Sequence, residues 1–306
     1  MSECIQIEGL TMNFRGCNAL QGVDLKVESG SVFSLLGENG AGKTTLIRIL
    51  TGFQRPSGGT VRILGLDPIR DALEIRRRIG YVSDSPALYE WMRIDEIGWF
   101  ASSFYSDGFL KNYRDMVAMY ELPTNRKIKH LSKGQRAKVA LALAVAHDPE
   151  LLILDEPTSG LDPLVRRDFL ESMVERAASG RTVLLSSHQM SEVERVTDRL
   201  AIIHEGKVGL QGPLSGLRDE IFEVTFSVED PLAELPVSNA PIEILSEGKS
   251  GRQVRWIVRG FDSQFENEIN DWTGVHSVRC RPATLEELFI ACTRGARKSE
   301  KLVSRY

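Results

Sequence analysis

The stretch "SVFSLLGENGAGKTT", residues 31–45, decides the fold of this chain. Its first part, "SVFSLL", is a nearly continuous apolar run, which is typical of a strand buried on both faces of a sheet. The following "GENGAGKT" matches the pattern G-x-x-x-x-G-K-[ST], and the apolar-periodic "LIRILTGF" after it predicts a helix. A buried strand, a glycine-rich turn and a helix in this order indicate an α/β fold.

The glycine-rich turn predicts a loop that binds phosphate. Gly37, Gly40 and Gly42 allow positive φ angles, so that backbone N–H groups can point at phosphate oxygens. The helix presents its positive N-terminus to the same anion, while Lys43 can reach the outer phosphates and the Thr44 hydroxyl is placed for Mg²⁺. A turn without a ligand is the alternative, and the flanking strand and helix favour phosphate binding. The predicted nucleotide-binding residues of this loop are Gly37, Asn39, Gly40, Gly42, Lys43, Thr44 and Thr45.

Two later strands also end in polar side chains. The run "LLILDE" closes a buried strand with Asp155 and Glu156. Behind a phosphate loop, Asp155 fits a carboxylate for Mg²⁺ and Glu156 could polarise an attacking water, whereas alone the two would be read as solvated carboxylates. His188 follows the strand in "LLSSHQM" at the carboxyl end, where α/β sites lie, although a structural role is the alternative.

The rest of the chain reads as two domains. Strand-like runs return at "LLILDE", "TVLLSS" and "RLAIIHEGKVGL", with helices between and around them, which predicts a sheet covered by helices. An amphipathic insertion at about residues 85–146 predicts a helical subdomain. Gly212 and Pro213 mark a boundary, so the predicted domains are residues 1–217 and a small α+β module with a basic tail, residues 218–306.

Composition narrows the possible partners. The formal net charge of -4 over 306 residues argues against a dedicated nucleic-acid binder, so no nucleic acid is expected. The cysteines Cys4, Cys17, Cys280 and Cys292 show no zinc spacing and fit reduced cytosolic thiols. There is no apolar run long enough to span a bilayer and no visible signal peptide, so we expect a cytoplasmic protein that reaches a membrane only through a partner.

With "LSKGQ", residues 131–135, the chain resembles the ATP-binding cassette (ABC) ATPase family. "GENGAGKTT", "LSKGQ", "LLILDEPTSGLD" and "SSH" occur in that family's order and at its approximate spacings, over roughly residues 3–215. The resemblance implies a P-loop cassette with a mixed-sheet core and a helical subdomain, and ATP and Mg²⁺ as ligands. It also implies a head-to-tail dimer, in which Ser132, Gly134 and Gln135 of the signature meet ATP held by a second subunit.

The resemblance assigns further roles by motif. Phe14, in "MNFRG", takes the place of the aromatic that stacks on adenine, although a core role is an alternative for it. Asp155 resembles the Walker B aspartate, Asp162 the aspartate that communicates across the dimer, and His188 the switch histidine. Glu156 resembles the catalytic glutamate. The predicted catalytic residues are Glu156, His188 and Lys43.

Two positions depart from the family pattern. Asp84 stands where the family usually has a glutamine, and an aspartate there could coordinate Mg²⁺ but brings a negative charge close to phosphates. The predicted metal ligands are therefore Thr44, Asp84 and Asp155. Lys133 replaces the middle glycine of the signature, and a cation near a phosphate is tolerable.

The resemblance favours the motor subunit of an ABC transporter. It would drive a separate membrane permease, as in exporters whose subunits end in a helix like "TLEELFIACT", and would lie on the inner face of the cell membrane. The predicted docking surface is the helical subdomain with Tyr89, Trp91, Trp99 and Phe100. The alternatives are a soluble ABC ATPase of translation or DNA repair, and a signalling or immunity protein. A Ras-like GTPase is disfavoured, because no N-K-x-D motif occurs.

Overall fold

The computed structural model describes residues 3–105, 107–232 and 242–293. The chain divides into two compact units, Met1–Val208 and Gly209–Tyr306. This division lies earlier than the predicted boundary after residue 217. Pro213, which was predicted to mark the boundary, is the last residue of a β-strand. The exact domain boundary stays a prediction.

The first unit is built around two sheets. Its strands are β1 Glu3–Phe14, β2 Cys17–Glu28, β3 Val32–Leu36, β4 Gly58–Ile63, β5 Ile79–Val82, β6 Leu151–Asp155, β7 Thr182–Ser187, β8 Arg199–His204 and, running into the second unit, β9 Lys207–Pro213. A three-stranded antiparallel sheet has the order β2-β1-β4, and a six-stranded sheet has the order β5-β6-β7-β3-β8-β9. The pairs β5–β6, β6–β7, β3–β7 and β3–β8 are parallel.

The centre of the larger sheet is buried on both faces. Every residue of β3, β6 and β7 is buried, as the continuous apolar runs predict. In the parallel register Leu36 pairs with Ser187, and Asp155 pairs with Ser186. The carboxyl ends of the three strands therefore meet at one edge, where the chain continues into the phosphate loop, Glu156 and His188.

Helices of the first unit pack on this sheet, and further helices belong to the second unit. Their bounds are α1 Lys43–Leu50, α2 Ala72–Arg78, α3 Ile94–Ser102, α4 Phe109–Met119, α5 Lys133–Val145, α6 Pro163–Ala178, α7 Met190–Val196, α8 Leu214–Glu220, α9 Ser263–Asn270 and α10 at 285–293, with a short 3₁₀ turn at Ile128–His130. Pro163 opens α6, and Gly180 follows its end with a φ of 85°, which are the positions that proline and glycine favour at helix ends.

Helices α3, α4 and α5 form the predicted helical subdomain. Its first helix starts at Ile94 rather than near residue 85, because the segment that contains Pro86 has no regular helix. Tyr113 is buried at its centre and donates its hydroxyl to the carbonyl oxygen of Ile94 at 2.7 Å. A Cβ at Gly98 would overlap the Tyr113 ring, so only glycine allows this close approach of α3 and α4.

The second unit contains a four-stranded antiparallel sheet. Its strands are β10 Ile221–Val228, β11 Glu243–Ser250, β12 Gln253–Arg259 and β13 Val275–Pro282, in the order β11-β12-β10-β13. Leu285, Leu288 and Phe289 of α10 are buried, as is typical of the apolar face of an amphipathic helix. The predicted basic tail, residues 294–306, lies outside the described residues. All four cysteines are free. In the described part of the chain, no helix has the length and apolar character that a bilayer crossing requires.

Candidate active site

Glycine is required at two positions of the phosphate loop. A Cβ on Gly42 would lie 2.7 Å from the carbonyl oxygen of Ala19, and a Cβ on Gly37 would lie 2.6 Å from the carbonyl oxygen of Ile203. Gly42 also has a φ of 111°, which side chains rarely adopt. The loop is therefore pressed against its surroundings with its backbone turned as the pattern G-x-x-x-x-G-K-[ST] predicts.

The helix that follows the loop can bind an anion. Gly42 is the N-cap of α1, no side chain caps this end, and the first turn contains no acidic residue. The first N–H groups of a helix lack partners within the helix and carry the positive end of its dipole. Lys43 and the exposed Thr44 stand in this first turn. These groups fit the phosphates of a nucleotide.

A cavity of about 450 Å³ lies in front of this helix end. Its lining includes the predicted residues Asn39, Gly40, Gly42, Lys43, Thr44, Thr45 and Glu156. Cys17, Asn18 and Glu205 also line it, and sequence reasoning missed them. Phe14 is about half exposed and is not among the lining residues, although it pairs with Cys17 across the turn between β1 and β2.

The Glu156 carboxylate contacts both Lys43 and His188. The Lys43 Nζ is 3.0 Å from the Glu156 Oε1, and the His188 Nδ1 is 2.7 Å from the Glu156 Oε2. Lys43 also donates to the carbonyl oxygens of Gly37 at 2.6 Å and Glu38 at 3.1 Å. The glutamate is thus held between the phosphate-loop lysine and the strand-end histidine.

The backbone of Glu156 is fixed in an unusual conformation. Its φ is 50°, in the left-handed region, which costs free energy for a residue with a side chain. The Glu156 N–H donates to the Ser186 carbonyl oxygen at 3.2 Å and to the Ser186 Oγ at 3.0 Å. The neighbouring strand β7 therefore holds Glu156 in the orientation that turns its carboxylate toward Lys43.

The predicted metal ligands lie at the same sheet edge. Asp155 is buried, and its Oδ1 accepts a hydrogen bond from the Ser186 Oγ at 2.7 Å. Asp84 is exposed just beyond β5, which pairs with β6. Burial raises the pKa of Tyr81, and the negative charge of Asp155 is the second largest cause of this rise. Among the described residues, no group of three or more histidine, cysteine, aspartate or glutamate side chains forms a metal cluster.

This donor set fits Mg²⁺, because Mg²⁺ usually takes one or two carboxylates and completes its shell with waters and substrate phosphates. Thr44 adds a hydroxyl in the first turn of α1, beside the cavity. The assignment of Thr44, Asp84 and Asp155 as metal ligands stays a prediction.

The signature residues form a capped helix start. The Ser132 Oγ accepts from the Gln135 N–H at 3.2 Å, and the Gln135 Oε1 accepts from the Ser132 N–H at 3.1 Å. The Ser132 hydroxyl keeps its own hydrogen for donation to a further acceptor. Gly134 approaches Val165, and the Lys133 Nζ lies 2.7 Å from where a Cβ on Gly160 would be.

Several predicted site residues are not part of the cavity lining. Asp162 is the N-cap of α6 and accepts from the Val165 N–H at 3.1 Å. Within its own chain, the Asp162 carboxylate therefore caps the start of α6. The residues absent from the cavity lining are Phe14, Gly37, Asp84, Ser132, Gly134, Gln135, Asp155, Asp162 and His188.

Sequence reasoning also missed a buried carboxylate on α7. Glu192 is 2% exposed and accepts hydrogen bonds from the Thr158 Oγ1 at 2.7 Å and the Ser187 Oγ at 3.0 Å. The Arg166 Nε lies 3.2 Å from its other oxygen. No motif marks this residue, and only the tertiary structure brings its partners together.

Comparison with known proteins identifies related chains. A family model described as ABC transporter matches residues 20–159. The uncharacterized ABC transporter ATP-binding protein all4389 of Nostoc is 40% identical, over 65% of this chain and 61% of its own length. YhcH of Bacillus subtilis, also an uncharacterized ABC transporter ATP-binding protein, is 32% identical over 98% of this chain and 99% of its length. The daunorubicin resistance ATP-binding protein DrrA3 of Streptomyces coeruleorubidus is 34% identical over 71% of this chain and 70% of its length. The chain thus spans less than two thirds of the Nostoc relative.

Solved structures agree with these relatives. The ATP-binding subunit of an ABC transporter superposes with a TM-score of 0.66 at 32% identity, covering 71% of this chain and 92% of that one. A dimeric bacterial ABC transporter cassette superposes with a TM-score of 0.62 at 26% identity, covering 69% of this chain and 98% of that one. The predicted fold class, a P-loop α/β cassette, is confirmed.

Proposed function

This chain belongs to the family of ABC transporter ATP-binding proteins, and we propose that it hydrolyses ATP to drive a separate membrane permease, as the motor subunit of an exporter. The observation that carries the proposal is the contact of Lys43, Glu156 and His188 beside an uncapped helix N-terminus. One carboxylate, one cation and one imidazole at the mouth of a phosphate loop are suited to phosphoryl transfer to water.

Each side chain has a task in this reaction. ATP with its Mg²⁺ supplies the reactive phosphoryl group. The N–H groups at the start of α1 and the Lys43 ammonium bind the phosphates and offset the negative charge that develops during transfer. Glu156 orients a water molecule and accepts its proton, and His188 holds the carboxylate in place through its Nδ1 contact.

A second cassette completes the site. The signature at Ser132, with the start of α5, lies outside the cavity lining of its own chain. Its helix N-terminus lacks an acidic residue in the first turn, so it can bind the phosphates of a nucleotide held by another copy or a relative. The dimeric cassette among the similar structures supports this arrangement.

The permease docks, in this proposal, on exposed aromatic rings of the helical subdomain. Tyr89, Trp91 and Trp99 are 50%, 64% and 65% exposed, while Phe100 is partly buried. The Tyr89 ring contacts those of Trp91 and Phe100 at centroid distances of 6.2 Å and 5.5 Å. Exposed aromatic clusters of this kind are typical of protein-binding surfaces.

A neighbouring cavity can receive an element of the permease. It has a volume of about 370 Å³ and is lined by residues of β5, such as Tyr81, and of the helical subdomain, such as Tyr105 and Leu143. Such a cavity, between the strand that leads to the site and the helices, can pass movement from one to the other. Export is supported by similarity to the Nod factor export ATP-binding protein I of Neorhizobium galegae, which is 35% identical.

The test is to purify a tagged Glu156→Gln variant with ATP from detergent-solubilised membranes. We expect a multi-span membrane protein in near-stoichiometric amount. Adding Trp91→Ala and Trp99→Ala should release that partner, whereas Leu232→Ser, which changes an exposed apolar residue elsewhere, should retain it. Purification of a soluble dimer alone, or with ribosomes or DNA, would contradict the transport role and leave the ATPase site standing.

A further inference from the structure

Glu192 is buried although a carboxylate is costly to remove from water. Its exposed fraction is 2%, and none of the motifs that mark the site includes it. A buried carboxylate is tolerated only where hydrogen bonds and an opposite charge compensate the lost hydration. Its partners therefore show which parts of the fold it holds together.

The partners of Glu192 come from three segments. Its Oε2 accepts from the Thr158 Oγ1 at 2.7 Å and from the Ser187 Oγ at 3.0 Å. Its Oε1 forms a close ion pair with the Arg166 Nε at 3.2 Å. Thr158 lies in the loop after Glu156, Ser187 directly precedes His188, and Arg166 lies in the first turns of α6.

Arg166 and Ser187 extend these contacts on both sides of the site. Arg166 donates to the carbonyl oxygen of Leu161 at 3.2 Å and to the Oε1 of Gln189 at 2.6 Å. The Gln189 N–H donates to the Ser187 Oγ at 3.0 Å. Both neighbours of His188 in the chain are thus bonded into the network, as is the loop between Glu156 and Asp162.

We infer that Glu192 is a positioning residue that couples the loop at residues 157–161 to the segment that carries His188. A change in one segment then displaces the other, because one buried carboxylate binds both. This inference rests on the proposed ATPase function, since it assigns Glu192 a role in setting the contact of His188 with Glu156. Glu192 itself does not line the nucleotide cavity.

The first test needs no nucleotide. Hydrogen exchange of the full chain without ATP is compared for the wild type, Glu192→Gln and Glu194→Gln, an exposed residue of the same helix. We expect Glu192→Gln to speed exchange at residues 157–161 and at 187–190 together, while Glu194→Gln leaves both unchanged. Unchanged exchange, or a rise in one segment alone, would overturn the coupling even if the protein hydrolyses ATP.

The second test separates positioning from general stability. We expect Glu192→Gln to lower kcat for ATP by about 10- to 100-fold while KM changes by less than about twofold. In Glu192→Gln the positive charge of Arg166 loses the carboxylate that it pairs with. Adding Arg166→Gln removes this positive charge and should restore the unfolding midpoint, but not kcat. Recovery of kcat with stability would show a merely structural role.

Thr158→Val tests the same network with a milder change. It removes one hydroxyl at nearly constant shape, so it keeps the fold if Glu192→Gln does not. We expect a smaller loss of kcat than in Glu192→Gln, no loss of ATP affinity, and no further loss when the two variants are combined. Independent, multiplying losses would overturn the inference. A wild type without ATPase activity would instead refute the proposed function, while the exchange experiment would still decide the coupling.

Discussion

Lys43 and Glu156 form an ion pair in which the Nζ and Oε1 atoms are 3.0 Å apart, and their side chains are 5% and 13% exposed. The residue expected to bind the outer phosphates and the residue expected to activate water thus neutralise each other. A nucleotide that draws the Lys43 ammonium onto its phosphates would free the Glu156 oxygen. We therefore expect the pair to link nucleotide binding to the release of Glu156, the predicted catalytic base.

Lys43→Ala should weaken ATP binding by about 10- to 100-fold, because charge-assisted hydrogen bonds to the phosphates are lost. Titration with a fluorescent ATP analogue measures this. Lys111→Ala, an exposed lysine on α4, should bind as the wild type does. Unchanged affinity in Lys43→Ala would remove Lys43 from the site.

Glu156→Gln should bind ATP normally but hydrolyse it at least about 100-fold more slowly, since a general base typically contributes that much. Trapped ATP should hold two copies together, and light scattering with and without ATP measures the dimer. The matched control is Glu171→Gln, an exposed glutamate on α6. A Glu156→Gln variant that stays monomeric with ATP would count against the head-to-tail model.

Ser132→Ala should bind ATP and lose hydrolysis, because the hydroxyl expected to reach the partner's nucleotide is gone. The substitution also removes the helix cap seen at Gln135, which costs about 1 kcal/mol. Ser132→Thr keeps a hydroxyl and should recover most of the activity. If Ser132→Ala retains full turnover, the signature has no role in the reaction.

Gly98→Ala should destabilise the chain by about 1–3 kcal/mol, because the new methyl group would overlap the Tyr113 ring. Urea denaturation measures the change. Gly216→Ala is a matched control within helix α8, since its nearest neighbour is 4.0 Å away. That variant should be more stable by about 0.5–1 kcal/mol, and equal effects at both positions would contradict the packing explanation.

The second unit should lose stability in acid through Glu287. Burial acts to raise the pKa of Glu287, but hydrogen bonds from Arg281 and Thr284 outweigh it and lower the pKa to about 2. A depressed carboxyl pKa means that this stabilisation is present above the ordinary value of 4.5 and is lost as the pH falls toward 2.

The protection of residues 253–259 from hydrogen exchange, taken relative to the intrinsic exchange rate at each pH between pH 5 and pH 2.5, about the interval set by these values, measures the loss. Glu287→Gln should remove most of the pH dependence, whereas Glu286→Gln, at the exposed neighbouring position, should retain it. A pH dependence unchanged in Glu287→Gln would assign the effect to other carboxylates.

Much of the fold and the site could be predicted from local pattern. The phosphate loop needs glycines, a lysine and a hydroxyl residue in fixed order, and the strands before it and before Asp155 are buried on both faces and therefore read as apolar runs. The starts of two helices also depend on residues close by in the chain, because Ser132 caps the first turn of α5 and Pro163 is the first residue of α6. The first helix of the helical subdomain starts later than predicted. The amphipathic pattern alone did not show that the segment containing Pro86 has no regular helix.

The sequence by itself determined which residues are predicted to bear the chemistry, because the phosphate loop, the acidic strand end and the strand-end histidine are each contiguous patterns. Only the tertiary structure decided which of them touch. The contacts of Glu156 with Lys43 and with His188 depend on the sheet order β6-β7-β3, and the burial of Glu192 depends on where α7 packs. Strand order and helix packing are set by contacts between segments far apart in the chain, so no local pattern reveals them.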